Sequence, residues 1–161
     1  MMRGLLPALS QSVDIVSSLS EARTIVAPSS INPFLLALRA KDHPLIVVTA
    51  SSRAAEDLAT ELRTLHESVY EFPAWETLPH ERLSPRSDTI ARRIHALYQL
   101  EKSIGIDAHP VIVTPARGLI HRFIADLAKS PLVELEIGQE LELEKLVQHL
   151  SDLAYERTDL V

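Results

Sequence analysis

Residues 69–100, VYEFPAWETLPHERLSPRSDTIARRIHALYQL, decide the fold. The segment 69–72 has the composition of a short strand. A turn-rich connection follows, with prolines at 73, 79 and 85 around the chain's single tryptophan, Trp75. Ser87 or Asp88 is placed to cap a helix over 88–101, in which Ile90, Ile94 and Leu97 recur at the spacing of one face. A compact domain seldom keeps an ordered connection of that length without a use for it. Trp75 has two readings. It either pins the loop to the core, as the flanking Pro73 and Pro79 argue, or stands exposed for a partner.

Working outward from this stretch, strands and helices alternate. Residues 23–27 read as a short strand and 32–40 as a helix. Leu45-Ile46-Val47-Val48 is apolar without alternation, which predicts a strand covered on both faces. Ser51 or Ser52 caps the next helix, whose Ala55, Leu58, Ala59, Leu62 and Leu65 form the buried stripe. Val111-Ile112-Val113 is again apolar throughout, and a helix runs from there to about Lys129. Strands separated by helices imply right-handed crossovers, hence an α/β fold with a mostly parallel sheet flanked by helices.

The pattern changes at Ser130-Pro131. Over 132–137, Val133, Leu135 and Ile137 alternate with Glu134 and Glu136, the mark of a strand with one wet face. Gly138 turns the chain into a helix with Leu143, Leu146, Val147, Leu150 and Leu153 on one side. Charge changes at the same place. Residues 1–129 hold 14 acidic and 14 basic residues, whereas 130–161 hold 8 and 2, which accounts for the net charge of −6. The expected organisation is an α/β domain over 1–129 and the start of a second, α+β domain over 130–161. One strand and one helix cannot close a core, so the chain is expected to stop inside that second domain.

The 161 residues are 46% hydrophobic and 24% charged, a soluble globular balance, and the longest apolar run is strand-sized. The N-terminal MMRGLLPALSQSVD is interrupted too soon for a secretory signal. A cytoplasmic protein without a membrane partner is expected. Zero cysteines exclude disulfides, thiol nucleophiles and thiolate metal sites. His80-Glu81 lacks a second histidine one helical turn on, and His95, His121 and His149 stand singly, so no metal is expected. Ser29, Ser51 and Ser84 lack the glycine context of a nucleophile elbow. Non-specific binding to duplex DNA needs several unopposed cations, which this charge balance does not supply. The densest basic cluster is Arg82, Arg86, Arg92 and Arg93. It reads either as a phosphate- or partner-facing patch or as a solvated face paired with Glu81 and Asp88.

The wording of the connection, F-P-x-W-E-T-L-P-x-x-x-x-S-P followed by a helix carrying L-Y-Q-L, resembles the N-terminal module of bacterial transcription-repair coupling factors. That module is similar in fold to the excision-repair helicase UvrB. The segments 45–49, 111–123 and Tyr155-Glu156-Arg157-Thr158-Asp159 follow in the order the family places them. The resemblance spans roughly 20–161. It implies a UvrB-like first domain with a degenerate nucleotide site. The matching segment, 25–33, has neither the glycines that wrap phosphates nor the lysine that neutralises them, and Pro28 and Pro33 each delete a backbone donor. No catalytic residue or cofactor is therefore expected here. ATP and magnesium would serve motor domains elsewhere in the longer protein, which the resemblance makes a DNA translocase acting on RNA polymerase and double-stranded DNA. In the second domain the Y-x-R-x-D segment lies beside the surface that docks UvrA, which singles out Tyr155, Arg157 and Asp159. The planar fork of Arg157 suits bidentate pairing across an interface, although an intradomain bridge to Asp159 would use it equally. The alternative reading is a fragment of an active, UvrB-like ATP-dependent helicase.

Overall fold

The computed structural model describes residues 4–21, 23–77, 84–121, 133, 135–152 and 155. The chain divides into two units, Met1–Lys129 and Ser130–Val161.

The first unit is an α/β domain around a three-stranded parallel sheet: β1 (Leu45–Thr49), β2 (Val69–Glu71) and β3 (Val111–Pro115), in the order β1-β3-β2. Leu45 and Val69 both stand opposite Val111, and the ladders run in register from there. β3 lies in the centre and is buried along its whole length, as its unbroken apolar run predicts. Helices α1 (Leu5–Ser10), α2 (Val13–Glu21) and α3 (Asn32–Arg39) precede the sheet, and α4 (Ser52–Arg63) joins β1 to β2. The expected cap of α4 forms, with Ser51 Oγ accepting from Ala54 N at 3.2 Å. Its stripe is also the expected one. Ala55, Ala59 and Leu62 are buried against Val69, Val111, Val113, Ala37 and Leu38, and Leu58 and Leu65 pack around them.

The other face of the sheet carries a smaller cluster of Phe72, Ile112 and Ala96, the last from α5 (Ser87–Lys102). α5 keeps part of the predicted face, with Leu97 packed against this cluster and Ile94 half-buried, but its most buried side is shifted. Thr89, Arg93 and Ala96 are buried, while Ile90 is exposed. The helix is turned by about one residue because Thr89 and Arg93 make specific polar contacts with the loop. Its first position is preceded by Arg86, without a side-chain cap, in place of the expected Ser87 or Asp88.

In the first unit two strand expectations need correction. Residues 23–28 form no strand, and Val26 is 96% exposed. The apolar triplet Ile25-Val26-Ala27 ends at Pro28, which has no N–H to give a ladder. β1 is covered on one face only: Ile46 and Val48 are 57% and 50% exposed. It is an edge strand in the described sheet, and α5 reaches only as far as Ile112 on that side. α6 (Ala116–Ile120) ends sooner than predicted, with His121 in extended backbone; 122–130 lie outside the described residues.

In the second unit, α7 (Leu143–Asp152) forms where expected, after a turn at Gly138 with φ +90°. Leu143 and Val147 on its apolar side are exposed, and none of its residues is buried. The described residues of the predicted strand, Val133 and 135–137, are not in a strand. Leu132, Glu134 and Leu153 lie outside the described residues.

Candidate functional site

The described start of the loop after β2, residues 72–77, is held by one arginine. Arg93 projects from α5 under the loop, with its guanidinium carbon 3.8 Å from the Phe72 ring centre and 4.3 Å from that of Trp75. It donates from Nη1 to the Pro73 carbonyl and is 2% exposed. Its other terminal nitrogen is buried without a hydrogen-bond partner among the described residues. Two ring faces and one carbonyl therefore hold the cation. Burial pulls its pKa below the usual arginine value, though a guanidinium stays charged in proteins. One turn earlier, Thr89 Oγ1 donates to Glu76 Oε1. That hydrogen bond is the main cause of a Glu76 pKa below its ordinary value. Trp75 thus anchors the loop, and it does so through a cation.

This geometry splits the basic cluster. Arg93 is interior and belongs to no surface patch. Arg86 pairs with Asp88 through two bonds of 3.0 and 3.2 Å. Arg92 lies 3.3 Å from Glu71 and 3.6 Å from Asp88. Arg82 lies outside the described residues. Sequence reasoning missed the partner of Arg92 on the far side of Glu71. Arg63, in the last turn of α4, reaches the same carboxylate at 2.9 Å. A signal was present, because Arg92, His95, Gln99 and Lys102 share one face of α5 by spacing alone.

Of the residues singled out near the C-terminus, Tyr155 is 66% exposed, and Arg157 and Asp159 lie outside the described residues. The 25–33 segment runs as exposed, irregular chain into a 3-10 turn at Ser29–Ile31, with Pro33 at the start of α3. No group of three or more potential metal ligands occurs among the described residues.

Similarity to known proteins agrees with the loop wording. No protein-family model matches the chain. It is 36% identical over 159 residues to the transcription-repair-coupling factor of Mycobacterium tuberculosis, which covers 96% of this chain and 13% of that protein. The chain belongs to the transcription-repair-coupling factor family. The factor of Myxococcus xanthus is 30% identical over 135 residues, 78% of this chain and 11% of its own length. That of Escherichia coli is 31% identical over 116 residues, 66% and 10%. The chain thus matches 13%, 11% and 10% of the lengths of these three relatives. The aligned part includes the loop and the clamp that Arg93 makes, since nearly the whole chain is covered.

Proposed function

We propose that this chain is the N-terminal, non-catalytic interaction module of a cytoplasmic transcription-repair coupling factor. The longer protein would be an ATP-driven, magnesium-dependent translocase on double-stranded DNA that displaces stalled RNA polymerase. The module's task would be to present a UvrA-docking surface that includes Tyr155, Arg157 and Asp159. The observation that carries the non-catalytic reading is the state of the carboxyl end of the sheet. Open parallel sheets bind nucleotides in the crevice at that end. Here the crevice between α4 and the ends of β2 and β3 encloses about 10 Å³ and is lined by Glu56, Glu71, Pro73 and Pro115 among others. Ligand pockets run to about 300–1,000 Å³, and carboxylates repel phosphate. The 25–33 segment adds neither a glycine nor a lysine. No helix among the described residues is long and apolar enough to cross a membrane.

Two measurements test the reading. UvrA should be retained by the full-length coupling factor and lost or weakened by Arg157→Ala; equal retention would remove Arg157 from the surface. Titration of the 161-residue chain with a fluorescent ATP analogue and magnesium should give no saturable binding. Saturation would favour the alternative, a fragment of an active UvrB-like helicase.

A further inference from the structure

The outer edge of β2 combines features that nothing in the proposed function uses. β2 is an edge strand, with β3 on one side only among the described residues. Phe72 N donates to Val113 O, and Val111 N donates to Ser68 O. Backbone polarity alternates along a parallel strand, so the N–H and C=O of Val69 and Glu71 point away from β3. Two hollows, of about 270 and 160 Å³, lie along this edge and share Tyr70 as their common wall. α4 supplies Arg63 on one bank, and α5 supplies Arg92, His95, Gln99 and Lys102 on the other.

The two hollows are lined by more cations than carboxylates, although the chain as a whole is acidic. The chain carries −6, yet Glu71 is the sole carboxylate lining either hollow, against three permanent cations. Asp88 reaches Arg92 from outside at 3.6 Å. Glu71, 13% exposed, orients both arginines from below. Arg63 and Arg92 remain 45% and 42% exposed, and each guanidinium has more donors than these pairs consume. Lys102 sits over the Tyr98 ring at 5.6 Å. The arginines are held in place before any ligand arrives, which lowers the entropy cost of engaging them.

We propose that the open edge of β2 is a docking groove for an extended acidic peptide, added as a strand beside Val69–Glu71 with its carboxylates on Arg63 and Arg92. Backbone groups facing outward supply register and affinity, and the cationic banks select charge. A nucleic acid strand fits less well. It has no alternating N–H and C=O to match the edge. The one aromatic wall, Tyr70, already meets His95 edge-on at 5.2 Å. A second copy of this chain is also disfavoured, because pairing β2 with β2 would bring four arginines together. The groove is built from residues of the first unit and the proposed UvrA surface from residues of the second, so either can fail alone.

The test is fluorescence anisotropy on the full 161-residue chain. The probe is a labelled peptide of alternating threonine and glutamate, compared with its threonine–lysine counterpart and with oligo-thymidine. The acidic peptide should bind saturably and the lysine peptide should not. Arg63→Ser with Arg92→Ser should weaken binding by roughly tenfold or more while the melting curve is retained. Glu71→Pro should weaken it beyond Glu71→Ala, since only proline removes an outward N–H without touching the β3 ladder. Equal binding of both peptides overturns the proposal, as does unchanged affinity in a folded double-arginine variant. Tighter binding of oligo-thymidine that displaces the peptide would make the edge a nucleic-acid site instead.

Discussion

Arg93 is a buried cation held by two rings and a carbonyl, so its removal should be costly out of proportion to its place on a helix. Arg93→Ala leaves the Pro73 carbonyl unpaired and opens a gap between Phe72 and Trp75. We expect a loss of about 2–4 kcal/mol, read from urea unfolding. Trp75 is the chain's only tryptophan, so its emission should shift to the red in the same variant. Arg93→Lys should recover little, because an ammonium cannot stack flat on both rings. A blue-shifted spectrum in either variant would show that the ring is not released. The Glu76–Thr89 bond predicts a pH effect. Glu76 has a lowered folded pKa, chiefly from the Thr89 hydroxyl, so its contribution is present above the ordinary value of 4.5. That contribution fades as pH falls through the lower folded value. Carboxyl-resonance titration should place Glu76 below the other glutamates, and Thr89→Val should return it toward 4.5. Sequence could place Trp75 as the loop's anchor, because Pro73 and Pro79 flank it. It could not find the cation beneath, since an arginine at a helical spacing reads as solvated until a ring is known to lie over it.

At the scale of elements, what the chain reveals depends on whether burial is symmetric. β3 was legible because it is buried on both faces, and α4 because its apolar stripe meets one interior and Ser51 caps it. β1 carries an equally apolar run but sits at an edge, with Ile46 and Val48 outside the described core. A run of hydrophobic residues records what a strand could bury and says nothing about its position in the sheet. α5 was misread by one residue because Thr89 and Arg93, polar by type, occupy its buried side. The start of α6 depends on a small residue. A Cβ on Gly118 would stand 2.5 Å from Thr114 Oγ1 and 3.2 Å from the Phe72 carbonyl. Thr114 is fully buried and the carbonyl is backbone, so neither yields easily. Gly118→Ala should therefore destabilise by about 1–3 kcal/mol despite the higher helix propensity of alanine. Ser51→Ala, which removes only the cap of α4, should cost about 1 kcal/mol. Thermal melts of the two variants check both values. The order predicted is Gly118→Ala below Ser51→Ala.

For the whole molecule, the two units differ in how much holds them together. Within the first unit, the described sheet shares its core with α1, α3, α4 and α5. Among its described residues the second unit offers α7, ten residues long, with an apolar side and no buried residue. An isolated helix shorter than about 12–15 residues is marginal in water, and an amphipathic face stabilises one only when covered. The change in charge at Ser130 that marks the second unit in the sequence therefore also marks a change in cooperativity. A polypeptide ending at Lys129 should unfold in one cooperative transition with a midpoint close to that of the 161-residue chain. A peptide of 130–161 alone should show little helix by circular dichroism at 25 °C and no sigmoidal melt, as expected for about one short helix without a core. A fall of many degrees in the shorter chain, or a cooperative melt of the peptide, would contradict this division of stability. The division also bears on the proposed activity. A UvrA surface built around Tyr155 and Arg157 would draw its rigidity from packing that α7 lacks among the described residues. Removing 130–161 should abolish UvrA retention while leaving acidic-peptide binding at the β2 edge intact, and measuring both on one truncated protein separates the two sites.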